Sequence, residues 1–195
     1  MKKTPILLSI ILSAIWLLLS APAISDSGNL KPTQLPLKFM DIYTCDSNCE
    51  SRYPMHQLSQ LPAPLQQIIN QQNQKNIYNL DGGEDDGYLF LPARGEVQIV
   101  IAARSIVVNS FRLMTIKDNQ LIDQQLIGFS GPDDEGVIDF SIDKNYRLTI
   151  KRGMADIEHE KPVVWSEQRV YEISENGKLS EISKKTFNAQ KGNRG

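Results

Sequence analysis

The sequence predicts a mainly β protein, in which about eight strands form an antiparallel meander, sandwich or barrel-like sheet with one short N-terminal helix. Two observations predict this class. From Tyr88 onward, alternating apolar and polar residues recur in short segments, spaced roughly 8–12 residues apart as in all-β folds. Before them, a single segment after Pro64 has the spacing of an amphipathic helix.

The composition is that of an ordinary soluble domain. The 195 residues are 41% hydrophobic and 23% charged, which excludes a collagen, a coiled coil, a polytopic membrane protein and a disulfide-dense miniprotein. The formal net charge of −2 argues against a general nucleic-acid binder, because no excess of cations is available to neutralise phosphates.

Residues 1–23 have the pattern of a secretory signal peptide. Lys2 and Lys3 precede a mostly apolar stretch, and Ala21 and Ala23 supply small residues where a signal peptidase cleaves. The alternative is a retained membrane anchor, but the apolar run falls short of the about 20 residues that cross a bilayer. We therefore expect export to the periplasm or beyond.

The remaining chain divides into three predicted parts. Residues 24–36 are polar and contain several prolines, which favours a flexible lead-in. Residues 37–183 form a single β-rich domain. Residues 184–195 contain four basic residues and no acid, and we expect a disordered basic tail. With leader and tail set aside, residues 24–183 carry a net charge of −8.

The strands are predicted from short runs of β-branched and aromatic residues. They cover residues 37–44, 96–103, 105–116, 121–127, 138–142, 146–150, 163–173 and 178–182. The second and third runs are nearly continuously apolar, as in central strands that are covered on both faces.

The predicted helix follows Leu61 and Pro62. Pro64 suits a first helical turn, where the N–H that proline lacks would have no partner. Leu65, Ile68 and Ile69 then share one face, with glutamines and asparagines elsewhere. This pattern predicts a short helix lying on an apolar surface.

A faint internal repeat predicts two similar hairpins. Residues 116–123 and 173–181 each place a polar, Asn-containing turn between two strands, with an acid two residues after a leucine. We interpret the repeat as a pair of hairpins rather than as propeller blades, because the chain is too short for a full set of four-stranded blades.

Cys45 and Cys49 are predicted to form a disulfide. Turn-forming residues separate them, and export favours oxidation. A redox dithiol or half of a metal site would need C-x-x-C spacing or a second pair of ligands, and the sequence has neither.

Two acidic, glycine-rich segments are the candidate sites. Clustered carboxylates in a flexible loop can bind calcium, and the calcium candidates are Asp81, Glu84, Asp85, Asp86, Asp133, Asp134 and Asp139. Neither segment has the D-x-[DN]-x-[DN]-G spacing, so we favour solvated turns and predict no cofactor, with calcium as the alternative. The candidates for contacting a basic partner are Asp85, Asp86, Asp133, Asp134 and Glu135.

No catalytic constellation is recognisable. His56 and His159 lie in predicted loops without a nucleophile motif, and we expect both to be exposed to solvent. The leading hypothesis is therefore an exported, non-catalytic binding protein for a protein or small ligand, for example an inhibitor or immunity-type protein for a basic partner. The alternatives are a secreted hydrolase using two of Asp81, Asp85, Asp133 and Asp139, and a calcium-stabilised structural domain.

Overall fold

A computed structural model describes residues 30–43, 49–74, 87–105, 109–131, 136–156 and 161–187. Short elements come first: β1 (Leu37–Lys38), α1 (Phe39–Tyr43), α2 (Cys49–Arg52), a 3-10 turn (Leu58–Gln60) and α3 (Ala63–Gln74). The long strands follow: β2 (Gly87–Arg94), β3 (Val97–Ser105), β4 (Asn109–Lys117), β5 (Gln120–Ser130), β6 (Val137–Ile142), β7 (Arg147–Asp156), β8 (Lys161–Ile173) and β9 (Leu179–Thr186).

The long strands form one antiparallel meander in the order β2-β3-β4-β5-β6-β7-β8-β9. The mainly β, antiparallel prediction is therefore confirmed, and so is the helix at α3. β5 pairs with β6 only at Phe129↔Ile138 and Ser130↔Val137. β1 pairs with the other end of β6, at Leu37↔Ile142, and so takes the position that β5 leaves empty.

Each face of the sheet has its own apolar cluster. The inner cluster collects one face of β2 to β7 and ends at Ile173 of β8. In it, Phe39, Phe111 and Phe140 meet with ring centroids 5.4 to 6.1 Å apart. The outer cluster joins α3 to the opposite face of β2, β3 and β4. β3 and β4 are therefore covered on both faces, as their continuous apolar runs predict, and so is β2, for which the sequence indicated no separate run.

The strand predicted over residues 37–44 is wrong beyond Lys38. Only Leu37 and Lys38 pair with β6, at Ile142 and Ser141, and further along that edge Ile138 and Val137 pair with β5 instead. The chain then turns into α1, and the Lys38 backbone N–H donates to the Asp41 carboxylate at 3.0 Å, which caps the first turn.

Two boundaries also differ from the sequence-based division. Residues 30–36 pack against the domain: the Thr33 N–H donates to the Phe90 carbonyl at 2.6 Å, and the Thr33 side chain is fully buried. At the other end, residues 184–186 belong to β9, because Lys184 and Lys185 pair with Arg169 and Gln168 of β8. Sheet pairing outweighs the polar composition at the C-terminal boundary, and the burial and hydrogen bond of Thr33 do so at the N-terminal one.

Side chains join strands that are distant in the sheet order. The Tyr146 hydroxyl donates to the carbonyls of Pro92 and Ala93, at 3.2 Å each. Arg94 binds the Ile173 carbonyl and, at 3.4 Å, the Glu172 carboxylate. The sheet therefore curls until the β2–β3 turn meets β8.

The two hairpins of the internal repeat contact each other at the same end of the sheet. The Thr115 hydroxyl donates to the Gly177 carbonyl at 2.6 Å. The Leu179 N–H donates to the Asp123 carboxylate at 3.1 Å. Together with the bonds of Tyr146 and Arg94, these form what we call the turn-end contacts.

The Thr115→Val variant tests the turn-end contacts. Valine keeps the shape of this fully buried side chain but removes the donor to Gly177. We expect the free energy of unfolding to fall by about 1–3 kcal/mol, because a buried carbonyl loses its hydrogen bond. Urea denaturation measures the change. Thr186→Val, on the exposed strand β9, is the control and should stay within about 0.5 kcal/mol of the parent. Equal stability of the two variants would contradict a structural role for the Thr115 hydroxyl.

Candidate functional site

A cleft of about 440 Å³ lies between the β2–β3 turn and the β4–β5 turn. This volume is in the range of small-molecule sites, roughly 300–1,000 Å³. Its apolar lining includes Leu30, Pro32, Phe90, Pro92, Ala93 and Ile116, and its polar lining consists of Glu96, Gln98, Asp118 and Asn119. We call this feature the turn cleft.

Local sequence shapes the two turns that border the turn cleft. Gly95, at the β2–β3 turn, has a φ of +63°, a conformation that glycine adopts without steric cost. Asp118 and Asn119, at the β4–β5 turn, have φ values of +51° and +57°. Two consecutive left-handed residues indicate a type I′ hairpin turn, for which Asp and Asn are suited.

Residues 30–33 form a further wall. Leu30 and Pro32 line the turn cleft, and the bond from Thr33 to the Phe90 carbonyl ties this segment to the edge of β2. A segment that the composition assigns to a flexible lead-in therefore builds part of the site.

The floor of the turn cleft is a continuation of the outer apolar cluster. Phe90 and Ile116 belong to the cluster that packs under α3, together with Leu65. Packing therefore holds the floor in place before any ligand enters.

The wall formed by Pro92 and Ala93 is fixed by contacts on the side that faces away from the turn cleft. Their carbonyls accept the hydrogen bonds of Tyr146, and the Arg94 guanidinium lies 5.6 Å from the centre of the Tyr146 ring. The turn-end contacts and the turn cleft thus share a backbone segment.

The rim of the turn cleft is acidic. The two charged residues among its described lining are Glu96 and Asp118. The Lys117 ammonium lies 2.9 Å from the Glu96 carboxylate and joins the two turns. Its hydrogen bond and its charge lower the pKa of Glu96, and the same contact raises the pKa of Lys117. Lys117 is therefore engaged mainly by Glu96 and is attracted more weakly by Asp118, whose carboxylate lies at the rim.

Two amide oxygens at the turn cleft are buried without donors. Gln98 Oε1 and Asn119 Oδ1 have no hydrogen-bond partner within the part of the chain that the structure describes. A buried acceptor without a partner costs free energy, about 1–3 kcal/mol in mutational data. Both residues line the turn cleft, but the two oxygens are closed to solvent, so the amide of Gln98 or Asn119 must rotate before a donor in the cleft removes this cost.

Most of the candidate residues from the sequence lie outside the described residues. This holds for Asp81, Glu84, Asp85, Asp86, Asp133, Asp134, Glu135, Cys45 and His159, and for the side chain of Cys49. The calcium, disulfide and acidic-partner predictions at these positions therefore stay predictions.

Asp139 is described and lies apart from the lining of the turn cleft. It sits on β6 opposite Lys151 of β7 and is half-buried. Burial raises the pKa of its carboxyl, and attraction to Lys151 and Lys38 opposes that rise. Its described surroundings therefore contain two cations, while the other members of the proposed hydrolase set, Asp81, Asp85 and Asp133, lie outside the described residues.

His56 is not the exposed loop residue that its sequence context predicts. It exchanges two backbone hydrogen bonds with Tyr88, at 2.9 and 3.0 Å, and its ring meets that of Phe90 at 5.7 Å. His56 forms an isolated antiparallel bridge with Tyr88 at the edge of β2, and its side chain is therefore partly buried.

The polar residues of the turn cleft were not among the sequence-based candidates. The repeat at residues 116–123 predicts the turn at Asp118 and Asn119, but nothing in it indicates which other turn faces it. Glu96 and Gln98 look like ordinary residues at the start of a strand.

Comparisons with known proteins give no relative: no family model, no curated protein and no solved structure matches this chain.

Within the described ranges, no helix has the length and apolar character needed to cross a membrane. Among the same residues, no group of three or more His, Cys, Asp and Glu side chains is placed to hold a metal ion. The turn cleft is therefore interpreted from its own chemistry.

Asp139→Asn tests whether burial or attraction dominates at Asp139. A carboxyl with a raised folded pKa favours the folded state once protonated, so its ionised form costs stability at neutral pH. We expect Asp139→Asn to be at least as stable as the parent at pH 7 in urea denaturation. The difference should shrink as the pH falls and vanish about one unit below the ordinary aspartate pKa of about 3.9, where the carboxyl is protonated in both states. Glu175→Gln, in an exposed turn, is the control. A less stable Asp139→Asn at pH 7 would show that attraction to Lys151 and Lys38 dominates.

Proposed function

We propose that this chain is an exported, non-catalytic binding protein and that it holds its ligand in the turn cleft. The observation that carries the proposal is the combination of an apolar floor with two buried, unpartnered amide oxygens. Binding sites typically pair an apolar surface with a few placed polar groups, and this cleft has both.

The charge of the chain supports a basic partner. Residues 24–183 carry a net charge of −8, and the described lining of the turn cleft contributes two carboxylates. An acidic surface attracts cationic partners and speeds their association. An inhibitor or immunity-type protein that meets a basic partner remains one form of this proposal.

The hydrolase alternative has less support. It needs two carboxylates across a cleft, one to donate and one to accept a proton or to attack. In the turn cleft, Glu96 is held by Lys117, and the contact keeps its pKa low rather than raising it as a general acid requires. Asp139, the described candidate of that set, is elsewhere.

Ala93→Trp tests the location of the site. Ala93 is exposed and lines the turn cleft, so an indole there should fill the space without disturbing the core. The probe is N-phenyl-1-naphthylamine, an uncharged apolar dye whose fluorescence rises on leaving water. We expect the parent to bind it and Ala93→Trp to bind it at least about tenfold more weakly.

Thr186→Trp is the matched control, because it adds the same side chain to exposed strand β9. It should bind the dye as the parent does, and both variants should unfold at the parent's urea midpoint. No dye binding by the parent, or equal binding by Ala93→Trp, would overturn the proposed site.

Export has its own test. We expect the protein to be recovered outside the cytoplasm with an intact mass that corresponds to cleavage after Ala23. Ala23→Phe should prevent this cleavage, because signal peptidases require a small residue there. An unprocessed parent chain in the membrane fraction would instead support the retained-anchor alternative.

A further inference from the structure

We infer that the turn cleft takes a small cationic amphiphile: a ligand with a compact apolar body and a primary ammonium head. This inference rests on the proposed function and adds the chemical class of the ligand.

The apolar body of the ligand is inferred from the apolar side chains that form the floor and walls of the turn cleft. Phe90, Ile116, Pro92 and Leu30 present hydrocarbon to the cleft, and the volume of about 440 Å³ suits one small molecule. Burying apolar surface there is favourable by roughly 25 cal/mol per Å². A large folded partner could reach the rim but could place only a single side chain inside.

The head group is inferred from the hydrogen-bond donors that two polar side chains of the turn cleft lack. The unpartnered atoms Gln98 Oε1 and Asn119 Oδ1 are both acceptors, so they need a donor. A primary ammonium has three N–H donors and no acceptor, which matches this need. The terminal torsions of Asn and Gln are soft, so either oxygen can turn towards a bound head.

The charges at the rim favour the same head. Asp118 and Glu96 line the cleft, and the described lining contains no cationic side chain. Lys117, the nearby cation, holds Glu96 at 2.9 Å. A cationic head would meet Asp118 in a charge-assisted hydrogen bond, whereas an anionic head would meet repulsion from both carboxylates.

The experiment compares three ligands that share one apolar body: n-octylammonium, n-octanol and n-octyl sulfate. Each competes with N-phenyl-1-naphthylamine for the parent protein at neutral pH, below its micelle concentration. We expect n-octylammonium to displace the dye at a concentration at least about tenfold lower than n-octyl sulfate, with n-octanol between them.

Two variants remove the head-group contacts and preserve the turn. Asn119→Gly deletes the amide oxygen, and glycine accepts the positive φ of this position. Asp118→Asn deletes the charge but keeps a residue type that suits the left-handed conformation. Each should weaken n-octylammonium by about threefold to tenfold. Asp118→Asn should leave n-octanol unchanged, whereas Asn119→Gly should weaken n-octanol too, because its hydroxyl can also donate to the amide oxygen.

Glu175→Gln is the matched charge control, because it makes the same change in net charge at an exposed turn outside the lining of the cleft. It should leave all three ligands unchanged. If it weakens n-octylammonium as much as Asp118→Asn does, the preference comes from overall charge, and the assignment to Asp118 is overturned.

The outcomes separate this inference from the proposed function. If Ala93→Trp abolishes dye binding but the ammonium and the sulfate compete equally, the ligand class is overturned. The proposed binding site is then still supported. Absence of dye binding overturns both. Competition by a lysine-containing peptide without competition by n-octylammonium shows that the cleft takes a protein side chain, which overturns the small ligand.

Discussion

The curl of the meander depends on hydrogen bonds between strands that are not neighbours in the sheet. Tyr146 bonds to Pro92 and Ala93, Arg94 to Ile173, and Thr115 to Gly177. An open sheet of eight long strands has two free edges and no geometric reason to bend to one particular curvature. These bonds fix the curvature of the sheet, so that its concave face packs around the inner aromatic cluster. Of these bonds, the one from Thr115 to Gly177 is buried, and its groups are therefore costly to leave unpaired.

The turn cleft lies at one end of the meander, where the β2–β3 and β4–β5 turns are neighbours because β3 and β4 pair with each other. Its walls are hairpin turns, which are normally the least restrained parts of a β protein. Here the β2–β3 turn is held by Tyr146 and Arg94, and the β4–β5 hairpin is held through Thr115 and Asp123. The floor is packed against α3. A cleft built this way is formed before binding, which reduces the entropy that a ligand must lose in ordering it.

The charged and polar groups of the turn cleft restrict the chemistry of a ligand more than the net charge of the whole chain does. A net charge of −8 over residues 24–183 indicates only that basic partners are attracted. At the rim, Lys117 pairs with Glu96 at 2.9 Å and is attracted more weakly by Asp118, while the oxygens of Gln98 and Asn119 have no donor among the described residues. The recognition we propose therefore depends on a few short-range acceptors, and the net charge adds a long-range attraction.

The sequence by itself determined the class of fold, the helix at Ala63–Gln74 and the turn at Asp118 and Asn119, because periodicity and turn chemistry are local properties. It did not determine the end of the first strand, the packing of residues 30–36, the bridge of His56 to β2 or the composition of the site. Each of these depends on which edge or turn lies alongside. Glu96 and Asp118 are 22 positions apart and lie side by side because β3 pairs with β4 at Gln98↔Ile116. That juxtaposition is a tertiary property, and only the folded structure decides it.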